Sequence, residues 1–194
     1  HRWSSGTSHA AAHISGLAAL FTQWWYDRNF GDVPSPSMMK AAMINSAVDL
    51  NGENSSEPIP NAAEGWGRPY MKRMFTPGVG MKYIDEPFPI QTTGTGFTLE
   101  GSVADASKPL RITLAWTAPP GASDPALVND LDLIVTVGGV EYKGNVFSNG
   151  ASVTGGAFDS RNNVENVFLP AGVPAGASLS IFVRATALNG DGDI

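Results

Sequence analysis

The sequence contains no cysteine, which excludes disulfides, thiolate metal sites and cysteine nucleophiles. Charged residues are also scarce, at 15% of the chain, compared with roughly 25% in average soluble proteins. No apolar run reaches the ~18 residues of a membrane-spanning helix, and no segment has the pattern of a signal peptide. Acidic residues outnumber basic ones by 18 to 12, and the resulting net charge of −6 argues against nucleic acid or an anionic membrane as a main partner.

Hydrophobic residues are plentiful in this chain of 194 residues, and their share of 42% is enough to form a core. With 22 glycines and 14 prolines, turns should be dense, which favours β-structure over a helical bundle. The chain begins at His1 rather than at methionine, and we therefore expect it to be part of a longer protein.

The composition changes near Asp85-Glu86-Pro87. All three histidines and all six methionines precede this point, whereas most glycines and most of the acidic excess follow it. Because a proline also interrupts the chain there, we predict two domains, at residues 1–87 and 88–194.

Two helices are predicted in the first part. From Thr7 to about Tyr26 the apolar residues recur at helical spacing, with further apolar residues on the other faces, so this helix should be buried nearly all round. Ser35 is a favourable N-cap and Pro36 a favourable first residue for a second helix that runs to about Ala47.

The second part alternates apolar and polar residues in short segments separated by glycine and proline, as half-buried strands do. This pattern predicts an antiparallel sandwich that resembles a jelly roll. The predicted strands lie near residues 97–101, 110–117, 131–137, 164–168 and 179–185.

The segment with the most specific chemistry is Gly6-Thr7-Ser8 at the start of the first helix. Glycine permits a tight turn and a close approach of the backbone. A serine at a helix N-terminus has a free backbone N–H beside the positive end of the helix, which suits a developing oxyanion. The alternative interpretation is that Thr7 or Ser8 only caps the helix.

Several motifs resemble the subtilisin-like serine proteases (subtilases, peptidase S8). The segment Gly6 to Gly16 resembles their nucleophile motif, residues 36–44 their next helix, and residues 65–68 the turn that closes their catalytic domain. Residues 109–133 and 161–167 resemble the β-sandwich appended to one bacterial group of these enzymes. The expected fold is thus mixed: the helical C-terminal portion of a subtilisin-like α/β domain, followed by an all-β antiparallel sandwich.

The resemblance implies that Ser8 is the nucleophile of a secreted endopeptidase, with its own N–H as one oxyanion donor. His9 stands where the family has methionine, and Ala12 where it has proline. The family's catalytic aspartate and histidine precede the serine, and only seven residues precede Ser8 here. We therefore expect the chain to be inactive alone, with a peptide substrate only in the full protein.

The partner of the first part is left open by the sequence. The resemblance implies that the helices of residues 1–87 are normally covered by the upstream part of the catalytic domain. That part could be a separate chain, the helices could pack on a second copy, or they could associate with the sandwich.

An acidic group in the second part suggests a structural calcium ion. Two of its carboxylates stand two residues apart on a predicted strand and therefore face one side, and oxygen ligands are what calcium requires. The resemblance also implies calcium, whereas the alternative is a solvated group of loop residues. The candidate ligands are Asn129, Asp130, Asp132, Asp159 and Glu165.

Two other functions remain possible. One is a non-catalytic, calcium-stabilised β-sandwich that supports folding or binds a partner. The other is a module that binds carbohydrate or a cell surface, which we rank last because the aromatic residues of the second part are few and scattered.

Overall fold

The computed structural model describes residues 6–50, 57–76, 81–86, 89–121 and 127–190. The elements in chain order are α1 (Thr7–Tyr26), α2 (Pro36–Ser46), α3 (Met71–Phe75), β1 (Gly96–Ser102), β2 (Leu110–Ala115), β3 (Asn129–Val137), β4 (Val140–Lys143), β5 (Phe147–Ser148), β6 (Ala151–Ser152), β7 (Val164–Leu169) and β8 (Ser178–Leu188). The fold is therefore mixed, with a few helices followed by antiparallel sheets.

Helix α1 has the predicted bounds, but the prediction that it is buried nearly all round is wrong. Only Leu17, Phe21 and Trp25 are buried, and their spacing of four residues places them on one face. They pack against α2, α3 and Tyr83, whose ring centroid lies 5.6 Å from that of Phe21. The first three turns of α1 remain exposed because α2 and α3 cover only its later part.

Helix α2 begins as the sequence predicts. The Ser35 hydroxyl oxygen accepts a hydrogen bond from the Met38 N–H at 3.0 Å, and Pro36 occupies the first helical position. Asp85 binds the same cap, accepting from the Ser35 backbone N–H at 2.8 Å and from its hydroxyl at 2.5 Å. The end of the first part thus returns to the start of α2.

The strands form three antiparallel groups: a four-stranded sheet in the order β1-β8-β3-β4, the pair β2–β7 and the short hairpin β5–β6. Leu133 and Val135 of β3 are fully buried against Val167 and Leu169 of β7, so the sheet and the pair share one apolar core. All six residues of β7 are buried, not every second one as predicted, because α2 and Trp66 cover its other face. The jelly-roll connectivity stays a prediction.

Three short strands and α3 were not predicted from the sequence. Gly138 and Gly139 have φ of 55° and 85°, and they join β3 to β4. Asn149 and Gly150 have φ of 51° and 76°, and they join β5 to β6. Gly-Gly and Asn-Gly are typical of two-residue hairpin turns, so the sequence did contain a signal for both hairpins.

Among the described residues, no helix combines the length and apolar character needed to cross a bilayer.

Candidate functional site

Ser8 lies in the first turn of α1 and is exposed. The N-cap is Gly6, with φ of 148°, and its carbonyl accepts from the backbone N–H groups of His9 and Ala10 at 3.1 and 3.2 Å. No side chain caps the helix at this end, so the interpretation of Thr7 or Ser8 as a mere cap is wrong. Because the first N–H groups of a helix have no intrahelical acceptor, the turn around Ser8 offers donors at a positive helix end.

The two described histidines do not act as a base for Ser8 in this arrangement. His13 Nδ1 lies 2.8 Å from the backbone oxygen of His9, so the ring is engaged by its own helix. His9 is adjacent to Ser8 in sequence and therefore projects about 100° away around the helix. The structure thus presents an exposed nucleophile candidate together with backbone donors.

Asp132 is fully buried, with 0% of its surface exposed. Its Oδ2 accepts from Arg184 Nη2 at 2.5 Å and from Arg184 Nε at 3.2 Å, and the Thr186 hydroxyl also donates to it. Its Oδ1 finds no hydrogen-bond partner within the described part of the chain. Arg184 therefore balances the negative charge at Oδ2, whereas Oδ1 has no hydrogen-bond donor among the described residues.

Glu165 reaches β3 from the neighbouring pair β2–β7. Its Oε2 accepts from the backbone N–H of Leu133 at 2.6 Å, and its Oε1 lacks a partner among the residues described. A Cβ on Gly144 would collide with this side chain, so glycine leaves the space that the carboxyl fills. Burial, together with the charges of Asp132, Asp159 and Asp130, raises the pKa of Glu165 to about 8, even though the bond from Leu133 lowers it.

Asp130 and Asp159 complete the group, and their surroundings shift their pKa values in opposite directions. Burial and the nearby charges of Asp132 and Asp159 raise the pKa of Asp130, whose Oδ1 has no described partner. Burial alone would also raise the pKa of Asp159, but hydrogen bonds from Asn145 and Asn162 outweigh it and hold this pKa below its usual range. The Asn145 side-chain N–H donates to Asp159 Oδ2 at 2.6 Å.

The structure thus brings four of the five predicted calcium ligands within electrostatic range of one another: Asp130, Asp132, Asp159 and Glu165. The described residues contain no three acidic or histidine side chains that already converge as a metal-binding group. Asn129 uses its side-chain oxygen elsewhere, accepting from the backbone N–H groups of Asn189 and Gly190 at 3.0 and 3.1 Å.

The sequence did not predict two residues that contact this acidic group, Arg184 and Asn145. Arg184 neutralises part of its charge, and Asn145 orients Asp159 with a left-handed backbone, at φ of 60°. The Asn145 conformation had a local signal, since asparagine tolerates this region better than most residues. Arg184 had none, because its position opposite Asp132 depends on the pairing of β3 with β8.

Comparison with known proteins finds similarity in the first part of the chain. Residues 3–67 match the family model described as the subtilase family. A subtilisin-like protease of Arabidopsis thaliana is 43% identical over 61 residues, which are 31% of this chain and 7% of the relative. The chain therefore spans only a small part of that relative's length.

Proposed function

Because residues 3–67 match the subtilase family model, we propose that this chain supplies the nucleophile Ser8 of a serine endopeptidase. The observation that carries the proposal is the position of Ser8. It lies exposed in the first turn of α1, two residues after the N-cap Gly6, and has no capping role.

In the proposed reaction, Ser8 Oγ attacks the carbonyl carbon of a peptide bond and loses its proton to a general base. The bond to the leaving amine then breaks, and that amine takes up the proton. The backbone N–H of Ser8 and the positive end of α1 stabilise the oxyanion that forms during the attack. The base and the aspartate that orients it would come from outside this chain, so the chain alone should be inactive.

The exposed face of α1 supports an additional covering partner. Ile14 and Leu20 are 37% and 47% exposed, and residues 7–16, the first three turns of the helix, are exposed throughout. We propose the upstream part of a subtilase catalytic domain as the cover, with self-association as the alternative. We also propose that the full protein is secreted, as the family resemblance implies.

The chain alone is expected to leave casein intact, and casein should be cleaved when the upstream part of the catalytic domain is supplied as a separate chain. In that mixture Ser8→Ala should lower turnover about 10⁶-fold, because the nucleophile is lost. Ser15→Ala is the matched control, since Ser15 is an exposed serine of the same helix whose hydroxyl donates to the Ala11 carbonyl at 3.0 Å.

Two results would contradict the catalytic proposal. Cleavage of casein by the chain alone, lost in Ser8→Ala, would refute the predicted inactivity. Equal turnover of Ser8→Ala and Ser15→Ala in the mixture would refute Ser8 as the nucleophile.

A second function, calcium-dependent stabilisation by the sheet part, is favoured by the free oxygens of the acidic group. Asp130 Oδ1, Asp132 Oδ1 and Glu165 Oε1 are buried and have no partner among the described residues. Carboxylate oxygens are the ligands that calcium prefers, and the cation would offset charges that Arg184 alone does not balance. Because these side chains do not already converge in the described structure, Asp130, Asp132 and Glu165 would have to turn toward one ion to hold it, with Asp159 adding negative charge nearby.

Saturating calcium is expected to raise the melting temperature by roughly 5–10 °C relative to a chelator, as binding at about 100 times the dissociation constant does for a domain of this size. Circular dichroism is the measurement. Asp130→Asn should abolish the shift, whereas Asp105→Asn should keep it, because Asp105 is an exposed aspartate paired with Lys108. Equal melting temperatures with calcium and with chelator would contradict the site.

A further inference from the structure

Helix α2 rests on the sheet part of the chain. Ile44 is buried in a cluster with Val164 and Phe168 of β7, and Trp66 closes that cluster from the helical part, with its ring centroid 6.1 Å from that of Phe168. Two residues of α2 also make polar contacts across this boundary. Lys40 Nζ donates to Asn163 Oδ1 at 2.7 Å, and the hydroxyl oxygens of Ser37 and Thr117 lie 3.1 Å apart.

The C-terminal end of α2 is the most specific part of this contact. The last carbonyls of a helix lack intrahelical donors and carry partial negative charge. Arg111 of β2 donates from Nη1 to the Ala47 carbonyl at 2.7 Å and to the Asn45 carbonyl at 3.4 Å. Arg73 of α3 donates to the Ser46 and Ala47 carbonyls at 3.2 and 3.4 Å.

Arg111 is bound on more than one side. Its guanidinium carbon lies 4.3 Å from the centroid of the Phe168 ring, which gives a cation–π contact inside the interface. Burial, with the nearby positive charge of Arg73, lowers the pKa of Arg111 to about 10, so the cation is held at a desolvation cost. That cost is offset only while the α2 carbonyls and the Phe168 ring remain in place.

Asn45 of α2 donates hydrogen bonds from the helix to β2. Its side-chain N–H donates to the Arg111 carbonyl at 3.1 Å and to the Thr113 hydroxyl oxygen at 3.0 Å. The Thr113 hydroxyl then donates to Asn166 Oδ1 of β7 at 2.7 Å. Helix and strand thus exchange hydrogen bonds in both directions over one short stretch.

We propose that the β2–β7 pair is the docking surface for α2 and that Arg111 is the residue that locks the helix onto it. The sheet part then determines the position of the helical part, because α1 packs on α2 and α2 is fixed to β2. This contact holds the two parts together across the compositional boundary near Glu86, and its loss should release α2 without opening the β1-β8-β3-β4 sheet. The inference does not depend on the catalytic or the calcium proposal.

Hydrogen exchange of the 194-residue chain, followed by mass spectrometry of its peptides, tests this inference. In Arg111→Met, amides in the last turn of α2 should exchange about 10- to 100-fold faster, as expected when a buried charged hydrogen bond is lost. Amides of β3 and β8 should change less than about twofold, because their ladder does not include Arg111. Arg111→Lys should accelerate α2 less than Arg111→Met does, because it keeps the cation but not the planar fork.

Two further variants keep the test decisive if Arg111→Met does not fold. Asn45→Ala removes two interface bonds while improving intrinsic helix propensity, so faster exchange in α2 would support docking rather than a loss of helix formation. Lys108→Met removes an exposed cation just before β2 and should leave α2 unchanged. Equal acceleration of α2, β3 and β8 in Arg111→Met and Asn45→Ala, or unchanged exchange in α2, would overturn the proposal.

Discussion

In calcium-free buffer the free energy of unfolding should fall by about 3–5 kcal/mol as the pH rises from about 5 to about 8, because of Glu165. The folded protein keeps a proton on this carboxyl up to a pKa of about 8, whereas the ordinary value is 4.5. Between these values the folded state binds more protons than the unfolded state. A rise in pH therefore favours unfolding across this window, and the stability lost should be greatest above pH 8.

The physical cause is burial of a carboxyl beside three others. Glu165 is fully buried, and among the described residues only its Oε2 has a donor, the Leu133 N–H at 2.6 Å. Ionisation there places a fourth negative charge next to Asp130, Asp132 and Asp159, of which Arg184 neutralises one. Urea unfolding at a series of pH values measures the effect directly.

Glu165→Gln tests whether the pH dependence of stability comes from ionisation of Glu165. The amide is nearly isosteric with the protonated carboxyl, its oxygen can accept from Leu133, and it does not ionise. The fall in stability between pH 5 and 8 should therefore shrink to about 1 kcal/mol or less, with most of the gain at pH 8. Glu141→Gln, an exposed glutamate of β4, should retain the wild-type dependence. A flat wild-type profile, or equal slopes in Glu165→Gln and the wild type, would contradict this account.

The helices and most strands could be predicted because their signals are local. The bounds of α1 follow from helical spacing, and the start of α2 follows from Ser35 and Pro36, whose cap geometry the structure reproduces. The alternation in β3 correctly places Leu133 and Val135 in the core. Such signals need only neighbours within a few residues of the same segment.

The acidic group shows where local reasoning stops. The two-residue periodicity of a strand places Asp130 and Asp132 on one side, but it does not predict which residues face them. Arg184 stands opposite Asp132 only through the register of β3 with β8, which contains an irregularity next to Asp130. The length of the Glu165 side chain and the gap at Gly144 decide the contact with Leu133, and both depend on packing between separate sheets.

The exposure of α1 has a similar cause. Its sequence is apolar on several faces, yet the described chain supplies α2, α3 and Tyr83 for one face only. Periodicity reports how much apolar surface a helix carries, but the cover for that surface is set by other segments. The proposed upstream partner follows from this difference between the apolar surface that α1 carries and the cover that the chain provides.

Replacing Arg184 by methionine should lower the free energy of unfolding by about 3–5 kcal/mol at pH 7, measured by urea denaturation. The substitution removes the two guanidinium donors to Asp132 Oδ2, at 2.5 and 3.2 Å, so a fully buried carboxylate keeps the Thr186 hydroxyl but loses its countercharge. Methionine keeps apolar contact with Phe158, over whose ring the guanidinium lies at 4.5 Å, so lost packing contributes little.

A double substitution identifies the uncompensated charge as the cause of the Arg184→Met loss. In Asp132→Asn with Arg184→Met, both charges of this pair are absent and Asp132 leaves no uncompensated carboxylate, so the combined loss should be smaller than the sum of the single losses by about 1–3 kcal/mol. Arg161→Met, an exposed arginine in the loop before β7, should change stability by no more than about 0.5 kcal/mol. Strict additivity in the double variant, or a loss for Arg184→Met no larger than that for Arg161→Met, would show that the Asp132–Arg184 pair contributes little to stability. In that case the negative charge of the acidic group must be balanced by solvent or by a bound cation rather than by Arg184.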